Sequence, residues 1–148
     1  MSYKYHYPRP SVTVDAIIIA RIKKENFILL IRRGKEPFAG KWALPGGFIE
    51  MHEDLEQSCT RELEEETGLS GIKLAQFCTF GAVDRDPRGR TISVVFWGIV
   101  KEKLKVTGKD DADQAEWFSL DALPELAFDH LDIINQFKKF YQTMFRIN

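Results

Sequence analysis

The chain has 148 residues, 44% of them hydrophobic, and 21 Lys and Arg against 22 Asp and Glu give a net charge of -1. That is material for one full core and too little for two ordinary domains, and a balance this near neutral excludes a general electrostatic drive toward DNA, RNA or anionic membrane. No apolar run is long enough to span a bilayer, and the opening MSYKYHYPRP lacks the apolar segment of a signal peptide. A single domain over residues 1–148, in the cytoplasm, is therefore expected.

Residues 1–10 alternate Tyr3, Tyr5 and Tyr7 with polar residues and prolines and read as an extended arm, its aromatics packed on the body or across a subunit interface. Residues 11–20 (SVTVDAIIIA) and 26–32 (NFILLIR) are β-branched or aliphatic runs joined by a polar turn, which predicts two antiparallel strands. Arg32, Arg33 and Lys35 follow as a basic cluster, either a solubilising turn or a phosphate contact. Trp42-Ala43-Leu44-Pro45-Gly46-Gly47 then leads through a rigid proline and two glycines, so that main chain can approach a metal or a phosphate closely.

From about Asp54 to Thr67 the residues are good helix formers without Pro or Gly, with acids in the first turn and Gly68 placed for a left-handed C-cap. At about 100° per residue, Leu55, Cys59 and Leu63 form an apolar stripe. Glu62, Glu65 and Glu66 gather on the adjoining arc, and Glu56 and Glu64 point elsewhere. Carboxylates this close repel unless a cation or protons compensate, and hard oxygen donors with no clustered Cys or His favour Mg²⁺ or Mn²⁺ over Zn²⁺. Arg61 can reach back to Glu53 or to another carboxylate of the cluster. By itself, ELEEE reads more readily as an ordinary solvated helix face.

Residues 72–82 and 91–101 are expected to be two further strands, joined by the charged stretch 83–90, VDRDPRGR. Its three arginines, Arg85, Arg88 and Arg90, either pair with Asp84 and Asp86 or form a lid whose guanidinium groups suit diphosphate and sugar-phosphate oxygens. Leu104 to Val106 extends a strand in this reading, 108–113 is an acidic turn, 114–120 is the last strand, and Leu131, Ile134, Phe137, Phe140 or Tyr141, and Met144 predict a closing helix from about Asp129. Cys59 and Cys78 are expected as buried free thiols. Trp42, Trp97 and Trp117 are expected to serve the core, with Trp42 near enough to the glycines to touch a ligand; His52 reads as a loop residue, and His130 as a cap or packing residue of the last helix.

Gly47, five residues, Glu53, seven residues, then Arg61-Glu62-Leu63, Glu65-Glu66, Gly68 and Leu69 resembles the Nudix box at every fixed position. RRGKEPFAGKWALPGG, DRDPRGR, DADQAEWFSL and LAFDH are together similar to the bacterial ADP-ribose pyrophosphatase branch of that family, which includes transcriptional regulators of NAD metabolism; the resemblance runs from about Tyr7 to His130. A proline that marks ADP-ribose-specific members about fifteen residues past the box is absent at that spacing, and Pro87 comes slightly later.

The resemblance implies an α/β fold, an α/β/α sandwich with a mixed β-sheet, and hydrolysis of a nucleoside diphosphate linked to another group. It implies that Glu62, Glu65, Glu66 and a main-chain carbonyl near Gly46 bind the metal, Mg²⁺ with Mn²⁺ able to substitute, and that Arg61 and Glu53 support them. The reaction expected is cleavage of ADP-ribose to AMP and ribose 5-phosphate. Arg32, Arg33, Arg85, Arg88 and Arg90 are the candidates for the diphosphate or the terminal ribose phosphate, Phe80 or Phe38 for covering the adenine, and Glu65 or one of Asp110, Asp111 and Asp113 for the general base. A homodimer is implied, acting on a small nucleoside diphosphate derivative without nucleic acid or membrane. The alternatives are another nucleotide, such as an oxidised nucleoside triphosphate or a dinucleoside polyphosphate, and an ADP-ribose sensor without turnover.

Overall fold

In the computed structural model, which describes residues 2–109 and 112–145, the organising element is strand β1 (Ser11–Ile22). Eight successive residues of it, Thr13 to Ala20, are buried, as expected of an apolar strand covered on both faces. Along one edge it runs parallel to β6 (Thr91–Val100), in register from Ser11 opposite Thr91 to Ala20 opposite Val100. Its other edge is shared: Ile19–Ile22 pair with β2 (Glu25–Arg33), and Thr13–Asp15 pair with β4 (Gly46–Phe48), both antiparallel.

From Phe27 to Arg33, β2 also pairs with β7 (Ala112–Ser119); beyond Ile28 it parts from β1, and Ile31 and Arg32 pair with β3 (Trp42–Ala43). The Leu44–Pro45 corner joins β3 to β4, so it bridges the place where β1 and β2 diverge. Strand β5 (Ala75–Phe80) forms the far edge against β6. The sheet is mixed, as expected.

Alternation along the strands splits the core into two layers. Ile17, Ile19 and Val95 face helix α2 (His130–Met144) through Ile133, Ile134, Phe137 and Tyr141, while Ala16, Ile18, Val94 and Phe96 face helix α1 (Leu55–Thr67) through Cys59 and Leu63. One helix per face gives the expected sandwich. Helix α1 begins at Asp54, whose N–H donates to Gln57 Oε1 at 2.8 Å, and it stops at Gly68, whose left-handed φ of 81° lets its N–H reach Glu64 O.

Several local expectations change. Strands β3 and β4 form in the lead-in to the helix, where no strand was expected. Leu104 and Val106 lie outside the strands and pack on the α1 layer, with Leu104 O accepting from Trp117 Nε1 at 2.8 Å. Cys59 is buried, and Cys78 is half-buried; neither is in a disulfide. Tyr3, Tyr5 and Tyr7 are exposed, with Tyr3 stacked on Tyr5 and Arg9 over the Tyr5 ring. Among the described residues no helix is long and apolar enough to cross a membrane.

Candidate active site

The Asp54 cap and the Gly68 stop set the phase of α1 so that Leu63 points into the core while Arg61, Glu62 and Glu65 stand at its margin. Arg61 Nε lies 2.9 and 2.8 Å from the two oxygens of Glu53, and its NH1 reaches Glu62 Oε1 at 2.9 Å and Glu65 Oε2 at 3.1 Å. NH2 is 3.4 Å from the Phe48 carbonyl of β4. One planar guanidinium thus ties three carboxylates to the glycine segment, a task its five fixed donors suit. Ser58 Oγ also donates to Glu53 at 2.9 Å. Partial burial pushes the Glu53 carboxyl up, but hydrogen bonds from Arg61 and Ser58 outweigh it and hold the group below the usual carboxylate range. The same contacts raise the Arg61 pKa further.

Glu66, one turn on and buried, accepts from the Gly46 amide at 2.7 Å. Gly47 lies directly against Glu62: a Cβ there would sit 2.6 Å from the Glu62 carboxyl carbon. The two glycines are therefore there for close approach. Among the described residues no three acidic, imidazole or thiol groups meet at one point; Glu62 and Glu65 lean on Arg61, and Glu66 turns to Gly46. The carboxylates of Glu53, Glu62, Glu65 and Glu66 are hard oxygen donors, a donor set that fits a divalent cation of the Mg²⁺ class.

A narrow cleft opens beside this cluster where β1 and β2 diverge. Asp15, Gly46, Gly47, Glu66, Arg33, Arg85, Asp86, Arg88, Phe128 and His130 are among the residues that line it. Arg33 and Arg88 stack near Phe128, with Cζ 5.0 and 5.2 Å from the ring centre, and Arg88 also lies 4.7 Å from the Phe48 ring. Arg88 is aimed by Asp86, which accepts from its Nε, NH2 and main-chain N–H at 3.1, 2.8 and 2.9 Å. Burial raises the Asp86 carboxyl, and the Arg88 bonds overcome this and lower it. Arg85 is engaged differently, its Nε and NH2 clamped on Asp129 at 2.9 and 2.7 Å.

So the structure gathers Glu53, Arg61, Glu62, Glu65, Glu66 and Gly46 into one cluster and Arg33, Arg85 and Arg88 into the adjoining cleft. Arg32 and Arg90 do not line it; Arg90 NH1 is 3.4 Å from Ala82 O. Phe80 sits on edge strand β5, 6.3 Å from Phe77 and packed against the α2 layer, and Phe38 packs on Phe128 at 4.8 Å. Asp110 and Asp111 lie outside the described residues, as does the Asp113 side chain.

Asp15, Ser93 and the segment Ala127 to His130 were not singled out as site residues by sequence reasoning. Asp15 accepts a short hydrogen bond from Ser93 Oγ, and its other oxygen is 3.8 Å from His130 Nε2. A carboxylate inside the apolar run VTVDAIIIA was the available signal. Burial drives the His130 pKa down, and Nδ1 accepts the Leu44 N–H at 3.0 Å, so the ring is neutral with its proton on Nε2.

A model of the NUDIX domain family matches residues 9–137. Over 134 residues the chain is 46% identical to an ADP-ribose pyrophosphatase of Methanocaldococcus jannaschii, covering 90% of this chain and 76% of that protein. It is 36% identical to an ADPR responsive transcriptional repressor of Acinetobacter baylyi, over 90% of this chain and 55% of the repressor. The NUDIX domain of Shewanella oneidensis NrtR complexed with ADP ribose superposes with a TM-score of 0.85 at 31% identity, over 91% of this chain and 90% of that one. A bifunctional NMN adenylyltransferase/ADP ribose pyrophosphatase of Francisella tularensis complexed with AMP and a manganese ion gives 0.78 at 32%, over 91% and 43%. With the box residues drawn together around Arg61 and the family model spanning residues 9–137, this chain belongs to the NUDIX family.

Proposed function

We propose that the protein is a Mg²⁺-dependent Nudix hydrolase, with Mn²⁺ able to substitute, that cleaves ADP-ribose to AMP and ribose 5-phosphate. The observation that carries the reading is the intact cluster in which Arg61 holds Glu53, Glu62 and Glu65 while Glu66 takes the Gly46 amide. The 46% identity to an ADP-ribose pyrophosphatase supports the substrate, and family members generally use a divalent metal. Glu62, Glu65, Glu66 and the Gly46 main chain would hold the cation, which supplies neutralisation of diphosphate charge and activation of a water when bound.

The chain's own groups do the rest. Arg61, itself held by Glu53, orients the Glu62 and Glu65 carboxylates. Arg33 and Arg88 face the cleft and take diphosphate oxygens, and Phe48 and Phe128 hold their guanidinium planes. Glu65, the most exposed acid of the cluster with 44% of its side chain accessible, is the candidate to receive the proton of the attacking water. Asp110, Asp111 and Asp113 are the alternatives. The P–O bond of the anhydride breaks, and one phosphate leaves on each product. One Nudix domain with an extended arm, a homodimer and a cytoplasmic setting complete the reading; the two unpaired cysteines suit a reducing compartment.

Release of AMP from ADP-ribose, measured beside a nucleotide panel, with chelator and with Glu65→Gln, tests it. Selective AMP release lost in both perturbations supports metal site and substrate together. Turnover of a different nucleotide overturns the substrate. Saturable ADP-ribose binding with no turnover revives the sensor, the reading that the 36% identity to a repressor favours.

A further inference from the structure

The turn that begins α2 lies on the sheet face opposite α1, yet each of its residues is fastened to a different part of the site. Ala127 N–H donates to Trp42 O at 2.8 Å, Phe128 packs between Arg33 and Arg88 with a left-handed φ of 52°, and Asp129 clamps Arg85. His130 accepts the Leu44 N–H. We propose that His130 is a positioning residue that fixes the Gly46 main chain for the metal by anchoring Leu44, two residues earlier.

Besides the pairing of β4 with β1, three contacts hold residues 44–46. Leu44 N–H is bound by His130 from α2, Pro45 O accepts from Ala16 N of β1 at 2.8 Å, and Gly46 N–H is bound by Glu66 of α1. Glycine neighbours give the main chain wide freedom, so these anchors and the β1–β4 pairing together set its position. Two are main-chain or box-helix contacts; the third is a side chain reached across 86 residues of sequence. Asp15 and Ser93 complete the support, because Asp15 faces the protonated Nε2 and is itself bound by Ser93. The ring is 4% exposed and lies 5.4 Å from the Phe128 ring, tilted by 38°. Partners behind a metal ligand set its orientation, and their loss typically weakens affinity about 10- to 100-fold.

The inference rests on the reading that Gly46 belongs to a metal site, and Mn²⁺ titration of substrate-free protein by calorimetry, with H130A, H130N and E65Q, separates the two. Thermal unfolding and amide exchange of Leu44 are measured on the same metal-free samples. The expected result is about tenfold or more weaker Mn²⁺ binding and faster Leu44 exchange in H130A, both restored in H130N, whose side-chain oxygen falls near the Nδ1 position. Should H130A not fold, H130Q, which fills the space but carries its oxygen one bond further out, takes its place with the same expectation. Wild-type Mn²⁺ affinity in the folded variant overturns the inference while E65Q still weakens binding; no saturable Mn²⁺ binding by the wild type overturns the metal reading and this inference with it.

Discussion

Gly47 and Glu62 are in such close contact that a Cβ on Gly47 would meet the Glu62 carboxyl carbon at 2.6 Å and both oxygens at 2.7 Å. The atoms in the way are the far end of a flexible side chain. Gly47→Ala is therefore expected to leave the fold intact and to push Glu62 off Arg61. At Gly46 the obstruction is main chain: a Cβ would overlap Val14 O and lie 2.9 Å from Asp15 Cα, so β4 would have to leave β1. Gly46→Ala should cost about 1–3 kcal/mol of stability. Thermal melts with kcat/KM measured alongside distinguish the two: activity lost about 10- to 100-fold at near-native Tm for Gly47→Ala, and a lowered Tm for Gly46→Ala.

Arg61→Lys tests whether geometry or charge holds the cluster. A lysine keeps the positive charge but presents a single ammonium, which cannot take Glu53 edge-on and reach Glu62 and Glu65 together. Expected is a folded protein with kcat/KM for ADP-ribose down about 10- to 100-fold. Native turnover in Arg61→Lys would show that charge alone suffices.

The reach of Arg61 to Glu53 was legible in the sequence because both lie within one helix and its lead-in, where spacing translates directly into distance. The long strands and both helices were legible for a related reason: their periodicity persists over several turns or pleats. β3 and β4 were not, since two or three residues carry no periodicity and pair only because β1 and β2 have already diverged. The Glu66 bond to Gly46 spans 20 residues and the His130 bond to Leu44 spans 86, so only the sheet brings those partners together. The charged stretch 83–90 left two readings open, pairing within the loop or a phosphate-binding lid, and Arg88 follows the first by holding Asp86, whereas Arg85 leaves the loop for Asp129, 44 residues on. Nothing in the local spacing marks that choice.

Arg85 and Arg88 should separate in a stability assay although both line the cleft. The Arg85 side chain is 3% exposed and bidentate on Asp129, and Arg85→Ala strands a partly buried carboxylate. A loss of about 3 kcal/mol is expected. Arg88→Ala is milder, because the Arg88 main-chain N–H still donates to Asp86. Its effect should fall on KM for ADP-ribose. Urea titration and steady-state kinetics check the pair; a KM defect without destabilisation in Arg85→Ala would reassign that residue to the substrate.

His130 gives the protein a pH dependence of definite sign. Burial depresses its pKa in the folded state below the ordinary value of 6.5, with the charges of Asp15 and Asp129 opposing that shift and those of Arg85 and Arg33 aiding it. The unfolded chain therefore takes up a proton before the folded one does. Stability from this group is complete above about pH 6.5 and falls as pH drops from there toward the depressed folded value, with a slope of at most about 1.4 kcal/mol per pH unit. Glu53 and Asp86 act lower, their depressed carboxyls contributing above the ordinary carboxylate range and losing that contribution as pH falls through their folded values. Urea unfolding of metal-free wild type and H130N from pH 7.5 downward isolates the histidine. The difference in stability between them should change below about pH 6.5 and stay constant above it; a constant difference across the whole range would mean that His130 is not held neutral by the fold.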